Sequence, residues 1–309
     1  MTMADRPAFD VTVREVGLRD GLQMIRQVVP TAFKRAWIDA VHGAGVRAME
    51  VASFVPPKYL PQMADAAEVV AHALTRPGLE ATVLVPNLKG AERAVAAGAR
   101  RISLPVSASR AHSRSNLNKT PEEAVAEVAA VCARFGGEVH VEAGIATAFA
   151  CSMQGAVPED DVLRVAEGLA AAGVAELGLA DTVGYANPAQ VTSLVARVRG
   201  AVGPLLTRIH LHDTMGLGLA NAAAALAAGI RRFDASLGGL GGCPYAPGAS
   251  GNVVAEDLVF MLESMGVRTG IDLPALIAAR ALIREALPEE PLYGAVGRLG
   301  PPKTFRPAA

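Results

Sequence analysis

The chain has little that would mark an extracellular, membrane-bound or nucleic-acid-binding protein. It has three cysteines in 309 residues, and they are widely spaced at Cys132, Cys151 and Cys243. This count argues against a disulfide framework and favours a reducing compartment. A formal net charge of -1 gives no support for binding to nucleic acid or to an anionic membrane. No apolar run is long enough to cross a bilayer, and the first residues lack the apolar stretch of a signal peptide. We therefore expect a cytoplasmic protein without nucleic-acid or membrane partners.

What the chain does have is a regular alternation of short apolar runs and longer, alanine-rich helical patterns. Strands are predicted at 11–18, 48–54, 81–86, 101–107, 139–149, 176–182, 206–213 and 232–237. Helices are predicted between and after them, at 31–44, 61–75, 88–97, 121–135, 159–172, 188–200, 217–228 and 253–265. Nearly every helix ends at a glycine just before the next strand, as expected for a left-handed cap.

Eight strand–helix units over about 265 residues favour a (β/α)8 TIM barrel, because that fold is typically about 250 residues long. A doubly wound open sheet would also explain the alternation, but no G-x-G-x-x-G motif follows the first strand. The prediction is one catalytic barrel domain over 1–309, in which 271–309 is a short C-terminal helical extension with a helix at 274–286.

Unusual polar residues stand where the predicted strands end. In a TIM barrel the catalytic groups lie at the carboxyl ends of the strands. The residues in such positions are Arg19, Asp20, Glu50, Asp181, His210, His212, Cys243 and Asn252. Most of them belong to strands one, two, seven and eight, which become neighbours when the barrel closes. They are therefore expected to form one compact cluster.

Four of these residues have the chemistry of a metal site. His210 and His212 are two residues apart, so both side chains point to one side of a strand. On their own the two histidines fit a hydrogen-bonded pair in a barrel core equally well. Together with Asp20 and Asn252 they offer two imidazoles, a carboxylate and an amide oxygen, a set that suits Mg²⁺ or Mn²⁺ better than structural Zn²⁺. Arg19 would steady an anionic oxygen, and Asp181 or Glu50 would orient a ligand.

Several stretches resemble the 3-hydroxy-3-methylglutaryl-CoA lyases, within the wider group of metal-dependent barrel lyases and synthases. The matching stretches are VREVGLRDGLQ at 13–23, SFVPPKYLPQMAD at 53–65, VPNLKG at 85–90, HLHDTMGLGLAN at 210–221 and GLGGCPYAPGASGNVVAEDLVFMLESMG at 239–266. They span nearly the whole predicted barrel. The last one separates the lyases from the related acyl-transferring synthases.

The resemblance implies an enzyme that cleaves a CoA thioester to acetyl-CoA and acetoacetate, as in leucine degradation, and that forms a homodimer. It implies that Asp20, His210, His212 and Asn252 bind the divalent cation. Arg19 would stabilise the enolate of acetyl-CoA, and Cys243, on a mobile loop, would protonate it. A base near His210 or Asp20 would take the hydroxyl proton, and Glu50 would lie in the active site. The predicted substrate-binding residues are Gln23, Ser53, Asn87 and Asp181.

The sequence departs from the family pattern at Met24-Ile25, at Arg110-Ala111-His112, at Ser152-Met153 and at Glu142, which replaces a usual arginine. None of these positions belongs to the predicted metal set, so the departures bear on the acyl group. The alternatives are therefore a related lyase for another 3-hydroxyacyl-CoA, a synthase condensing acetyl-CoA with a 2-oxo acid, or a non-enzymatic barrel.

Overall fold

The computed structural model describes residues 9–241 and 251–308. Eight parallel strands close into a barrel in the order β1-β10-β9-β8-β5-β4-β3-β2. They are β1 Thr12–Glu15, β2 Ala48–Ser53, β3 Glu80–Leu84, β4 Arg101–Ser107, β5 His140–Ala146, β8 Glu176–Asp181, β9 Leu206–Leu211 and β10 Arg232–Ala235. The short strands β6 Ala150–Cys151 and β7 Gly155–Ala156 pair antiparallel outside the barrel. The predicted closed barrel is confirmed, and the open sheet is excluded.

Helices cover the outside of the barrel. They are α1 Thr31–Gly43, α2 Ala66–Ala73, α3 Leu88–Ala96, α4 Arg110–Leu117, α5 Pro121–Phe135, α6 Glu159–Ala171, α7 Pro188–Val202, α8 Gly218–Ala227, α9 Ala255–Ser264, α10 Leu273–Ala286 and α11 Val296–Leu299. Sequence analysis missed α4, and it merged α2 with the preceding 3-10 turn at Pro61–Met63. The expected left-handed glycine was wrong at Gly136, which has a φ of −60°.

Local sequence explains why these helices begin where they do. Thr120 and Glu123 form a reciprocal capping box at the start of α5, and Pro121 occupies its first turn. Asn187 and Gln190 do the same for α7. Each box satisfies amide groups that a helix start otherwise leaves unpaired, which is worth about 1 kcal/mol per cap. The apolar faces of the helices then pack on the strands, with Trp37 of α1 fully buried.

The inside of the barrel differs from its outer face because it carries ion pairs. Arg14, Glu142, Arg208 and Asp234 are all nearly inaccessible to solvent and contact one another. Arg101 and Arg232 bond to acidic residues at the amino ends of the strands. Sequence analysis treated these last two arginines as solvated side chains, which was wrong. Burying such charges is tolerated because each has an oppositely charged partner.

The first strand is shorter than predicted, and its end has an unusual geometry. A single turn of π-helix, Gly17–Gly21, replaces the expected continuation of the strand. The carbonyl of Val16 accepts from the amides of Arg19, Asp20 and Gly21. Gly17 is required there, because a Cβ would lie 2.5 Å from Glu15 Oε1 and 2.7 Å from the Trp37 ring. Single π turns of this kind are frequent at functional sites.

Replacing Gly17 by alanine should therefore weaken the fold. We expect Gly17→Ala to lower the free energy of unfolding by about 1–3 kcal/mol, the usual cost of overpacking a core. The matched control is Gly43→Ala at the end of α1, where an added Cβ meets no heavy atom within 4 Å. Thermal unfolding of both variants tests this, and equal midpoints for the two would contradict it.

The C-terminal segment packs on the barrel. Arg280 of α10 bonds to the buried carboxylate of Glu256 at 2.6 Å. The amide of Tyr293 donates to the carbonyl of Gly238 at 2.8 Å. Farther along, the Phe305 ring lies 5.2 Å from that of Phe260. In the described part of the chain, no helix is long and apolar enough to span a membrane.

Candidate active site

Three predicted ligands meet at the carboxyl end of the barrel. Donor atoms of Asp20, His210 and His212 lie within 4.8 Å of one another, and all three residues are buried. Nε2 of His210 is 3.1 Å from Nε2 of His212. Nε2 of His212 is 3.7 Å from Oδ2 of Asp20. The site is therefore assembled from the end of β9 and the π turn after β1.

Asn252, the fourth predicted ligand, joins the same cluster from the last loop. Its Nδ2 donates to Asp20 Oδ2 at 2.8 Å and to the carbonyl of Leu240 at 3.0 Å. Gly241 allows this approach, because a Cβ there would lie 2.7 Å from Asn252 Nδ2 and 2.9 Å from the Gly21 backbone. Gly241 also has a φ of 109°, which favours glycine.

The donor set fits a cation on its own geometry. Two polar atoms of the cluster, Asn252 Oδ1 and His212 Nδ1, are buried and have no hydrogen-bond partner among the described residues. Buried polar groups are rarely left unpaired, so such atoms call for a further group at the site. Carboxylate, imidazole and amide donors together suit a divalent ion of the Mg²⁺ or Mn²⁺ type. The cluster is a candidate metal site.

Arg19 connects this cluster to Glu50. Its NH1 donates to Asp20 Oδ1 at 2.6 Å, and its Nε donates to Glu50 Oε2 at 2.6 Å. Gln23 donates to the same Asp20 oxygen at 3.1 Å. Burial alone would raise the pKa of Asp20, but Arg19 and the two histidines lower that pKa well below its usual range. Asp20 is thus held ionised, as a cation ligand must be.

Three predicted substrate-binding residues bond mainly to the backbone. Both carboxylate oxygens of Asp181 accept from backbone amides, those of Tyr185 and Ala186. Burial raises the pKa of Asp181 although these amides oppose the shift. Asn87 caps α3 by accepting from Gly90 at 3.0 Å, and Ser53 accepts weakly from Val55 at 3.3 Å. These contacts position loops at the mouth of the barrel.

Two further assignments concern the ends of the histidine motif and of the glycine-rich loop. Asp213 accepts from the amide of Gly218 at 2.7 Å and so fixes the start of α8, in agreement with its expected backbone role. Cys243 lies outside the residues that the structure describes.

Sequence analysis missed the carboxylates that support the site from below. Asp234 accepts from His210 Nδ1 at 3.2 Å. Glu15 accepts from the amides of Gly17 and Leu237, and so connects the π turn with the start of the glycine-rich loop. Burial raises the pKa of Glu15 to about 8. A charged residue inside an apolar strand was the available signal for both, because such a side chain has to find a partner inside the barrel.

A second polar group lies at the ends of β4 and β5, across the barrel from β1. His112 Nδ1 is 3.0 Å from Ser107 Oγ, which is 2.7 Å from Thr147 Oγ1. Ser109 Oγ donates to Cys151 Sγ at 3.1 Å. Thr147 has a φ of 53°, a conformation that is strained for a β-branched residue. Burial lowers the pKa of His112 and favours its neutral form.

Comparison with known proteins gives a consistent result. Residues 10–283 match the family model described as HMGL-like. The mitochondrial hydroxymethylglutaryl-CoA lyase of Macaca fascicularis is 40% identical over 278 residues, which cover 90% of this chain and 86% of that protein. The hydroxymethylglutaryl-CoA lyase YngG of Bacillus subtilis is 39% identical, with coverage of 90% and 93%. An HMG-CoA lyase structure from Acinetobacter baumannii, in complex with coenzyme A and 3-methylmalate, superposes with a TM-score of 0.91 at 38% identity and full coverage of both chains.

Proposed function

The chain belongs to the HMGL-like family and is a carbon–carbon lyase, and we propose that it cleaves 3-hydroxy-3-methylglutaryl-CoA to acetyl-CoA and acetoacetate with a divalent cation. The observation that carries this proposal is the buried Asp20, His210 and His212 cluster with Arg19 beside it. The relatives named as lyases of this thioester are about 40% identical over 90% of the chain.

The cluster would hold Mg²⁺ or Mn²⁺ through Asp20, His210, His212 and Asn252. When bound, such a cation lowers the pKa of a hydroxyl group that it contacts, as it does for water. The protein's own contribution is to keep Asp20 ionised and to hold both imidazoles at one point. The C3 hydroxyl of the substrate would lose its proton to a base at His210 or Asp20. Breaking the C2–C3 bond then gives acetoacetate and the enolate of acetyl-CoA.

Arg19 is the residue that we assign to the enolate. Its guanidinium is fixed from two sides, by Asp20 and by Glu50, so it needs no rearrangement when negative charge develops. Preorganised donors of this kind stabilise an oxyanion better than mobile ones do. Glu50 therefore acts by orienting Arg19.

The enolate finally needs a proton, and Cys243 is the acid that we propose, because the glycine-rich loop carries it close to Asn252 in sequence. Gln23, Ser53, Asn87 and Asp181 remain the predicted substrate contacts. Gln23 fits that role through its hydrogen bond to Asp20. The homodimer, the cytoplasmic location and the place in leucine degradation also remain predictions.

One observation supports a second candidate, a lyase for a different acyl group. Ile25 belongs to the hydrophobic core, and Ser152 and Met153 are exposed. His112 is buried beside Ser107 and Thr147, at the active-site end of the barrel. It stands in a segment where the resemblance predicts an aromatic residue. A polar side chain at the mouth would change which acyl groups are accepted.

A series of thioesters tests both readings. With Mg²⁺, we expect cleavage of 3-hydroxy-3-methylglutaryl-CoA with kcat/KM in the ordinary range of about 10⁴–10⁸ M⁻¹s⁻¹. Larger 3-alkylglutaryl esters and citramalyl-CoA should be slower, and enzyme treated with a chelator serves as the control. Products are identified by mass spectrometry. Faster cleavage of a larger ester would favour the second candidate. If no thioester in the series is cleaved, the proposed function is wrong.

A further inference from the structure

The proton on His210 has a structural cause outside the family motifs. Asp234 of β10 lies directly opposite His210 of β9 in the parallel register. Its Oδ2 is 3.2 Å from His210 Nδ1. An ionised carboxylate only accepts hydrogen bonds, so Nδ1 has to be the donor. A neutral imidazole with its proton on Nδ1 has its free lone pair on Nε2, the nitrogen that lies beside His212.

Asp234 is itself held in place by two arginines. Arg14 donates to both of its oxygens, from Nε and NH2, each at 2.9 Å. Arg208 donates to Oδ2 at 3.1 Å. The paired contact from Arg14 fixes the plane of the carboxylate as well as its position. The carboxylate therefore has one orientation in which to accept from the imidazole.

Glu142 balances the charge of the two arginines. Its Oε1 accepts from Arg14 NH1 at 2.5 Å and from Arg208 NH2 at 3.1 Å. Two guanidinium groups and two carboxylates thus alternate inside the barrel, and their charges cancel. Glu142 stands where the family resemblance predicts an arginine, so this arrangement belongs to the present chain. Removing any one charge would leave another without its partner.

We propose that Asp234 is a positioning residue for His210: held by Arg14 and Arg208, it keeps the imidazole proton on Nδ1 and directs Nε2 to the cation. This rests on the proposed function in that His210 is taken as a metal ligand. Carboxylates behind metal-binding histidines fix the ring and its tautomer in the same way. An asparagine in such a place can donate from its amide and stabilise the opposite tautomer, which in a serine protease costs activity about 10⁴-fold.

The test is the tautomer of His210 in metal-free, ¹⁵N-histidine-labelled protein, measured by NMR, together with Mn²⁺ affinity measured by EPR. We expect the Nδ1–H tautomer in the wild type. Asp234→Asn should shift it towards Nε2–H and weaken Mn²⁺ binding by about 10–100-fold. Asp234→Glu, which keeps the carboxylate, should retain the Nδ1–H tautomer.

The matched control is Glu176→Gln. Glu176 is a buried carboxylate in the same barrel, lying 3.6 Å from Arg208, and its printed contacts do not include His210. It should keep both the wild-type tautomer and the wild-type Mn²⁺ affinity. A folded Asp234→Asn protein with both properties unchanged would overturn the proposal.

If Asp234→Asn does not fold, Arg14→Lys replaces it, because lysine keeps the charge and loses the paired hydrogen bonds. This variant should bind Mn²⁺ more weakly than the wild type, and equal affinity would count against the proposal. A wild-type protein that shows the Nδ1–H tautomer and binds Mn²⁺, but cleaves no thioester, supports the role of Asp234 and removes the proposed function.

Discussion

Asp20→Ala should abolish metal binding and cleavage together. Asp20 contacts Arg19, Gln23 and Asn252, and it supplies the carboxylate of the candidate metal site. Without it, two neutral imidazoles and an amide would have to hold a hard cation that prefers charged oxygen ligands. We expect kcat/KM to fall by about 10³-fold or more, which corresponds to about 4 kcal/mol of transition-state stabilisation.

Mn²⁺ titration and steady-state kinetics measure the two effects separately. Arg19 keeps its hydrogen bond to Glu50 in this variant, so the fold should persist, as circular dichroism would show. Asp213→Asn is the control, because Asp213 fixes the start of α8 and an asparagine can still accept from Gly218. Asp20→Ala protein that binds Mn²⁺ as tightly as the wild type would show that the cation site lies elsewhere.

Cys243→Ser should remove most of the turnover and leave metal binding unchanged. The prediction rests on the sequence, in which Cys243 belongs to the glycine-rich stretch that leads to Asn252. A serine hydroxyl is a far weaker acid than a thiol, so the enolate of acetyl-CoA would wait longer for its proton. We expect the rate to fall by roughly 10²–10⁴-fold, the usual contribution of a general acid.

The same proton transfer can be observed without cleavage. With Mg²⁺ in D₂O, the wild type should exchange the methyl protons of acetyl-CoA for deuterium, and Cys243→Ser should do so much more slowly. Cys132→Ser is the control, since Cys132 is a half-buried residue of the outer helix α5. An undiminished rate in Cys243→Ser, for both cleavage and exchange, would exclude the thiol from the mechanism.

The sequence by itself determined the barrel and the contents of the metal cluster. Alternating apolar runs and helical patterns are local signals, and the glycines and capping residues between them mark where elements end. Once eight parallel strands close, polar residues at their carboxyl ends have to meet at one mouth. This is why Asp20, His210, His212 and Asn252 could be assigned to one site although 232 positions separate Asp20 from Asn252.

Only the tertiary structure decided what supports that site. The π turn at Gly17–Gly21 depends on the small space between Glu15, Trp37 and Ser236, which no local pattern encodes. The pair of Arg14 and Asp234 joins residues 220 positions apart, and Glu142 reaches Arg14 across 128 positions. A charged residue in a strand indicates that a partner exists, but the register and closure of the barrel determine which residue it is. Those depend on the packing of all eight strands at once, so the partner of each buried charge follows only from the folded chain.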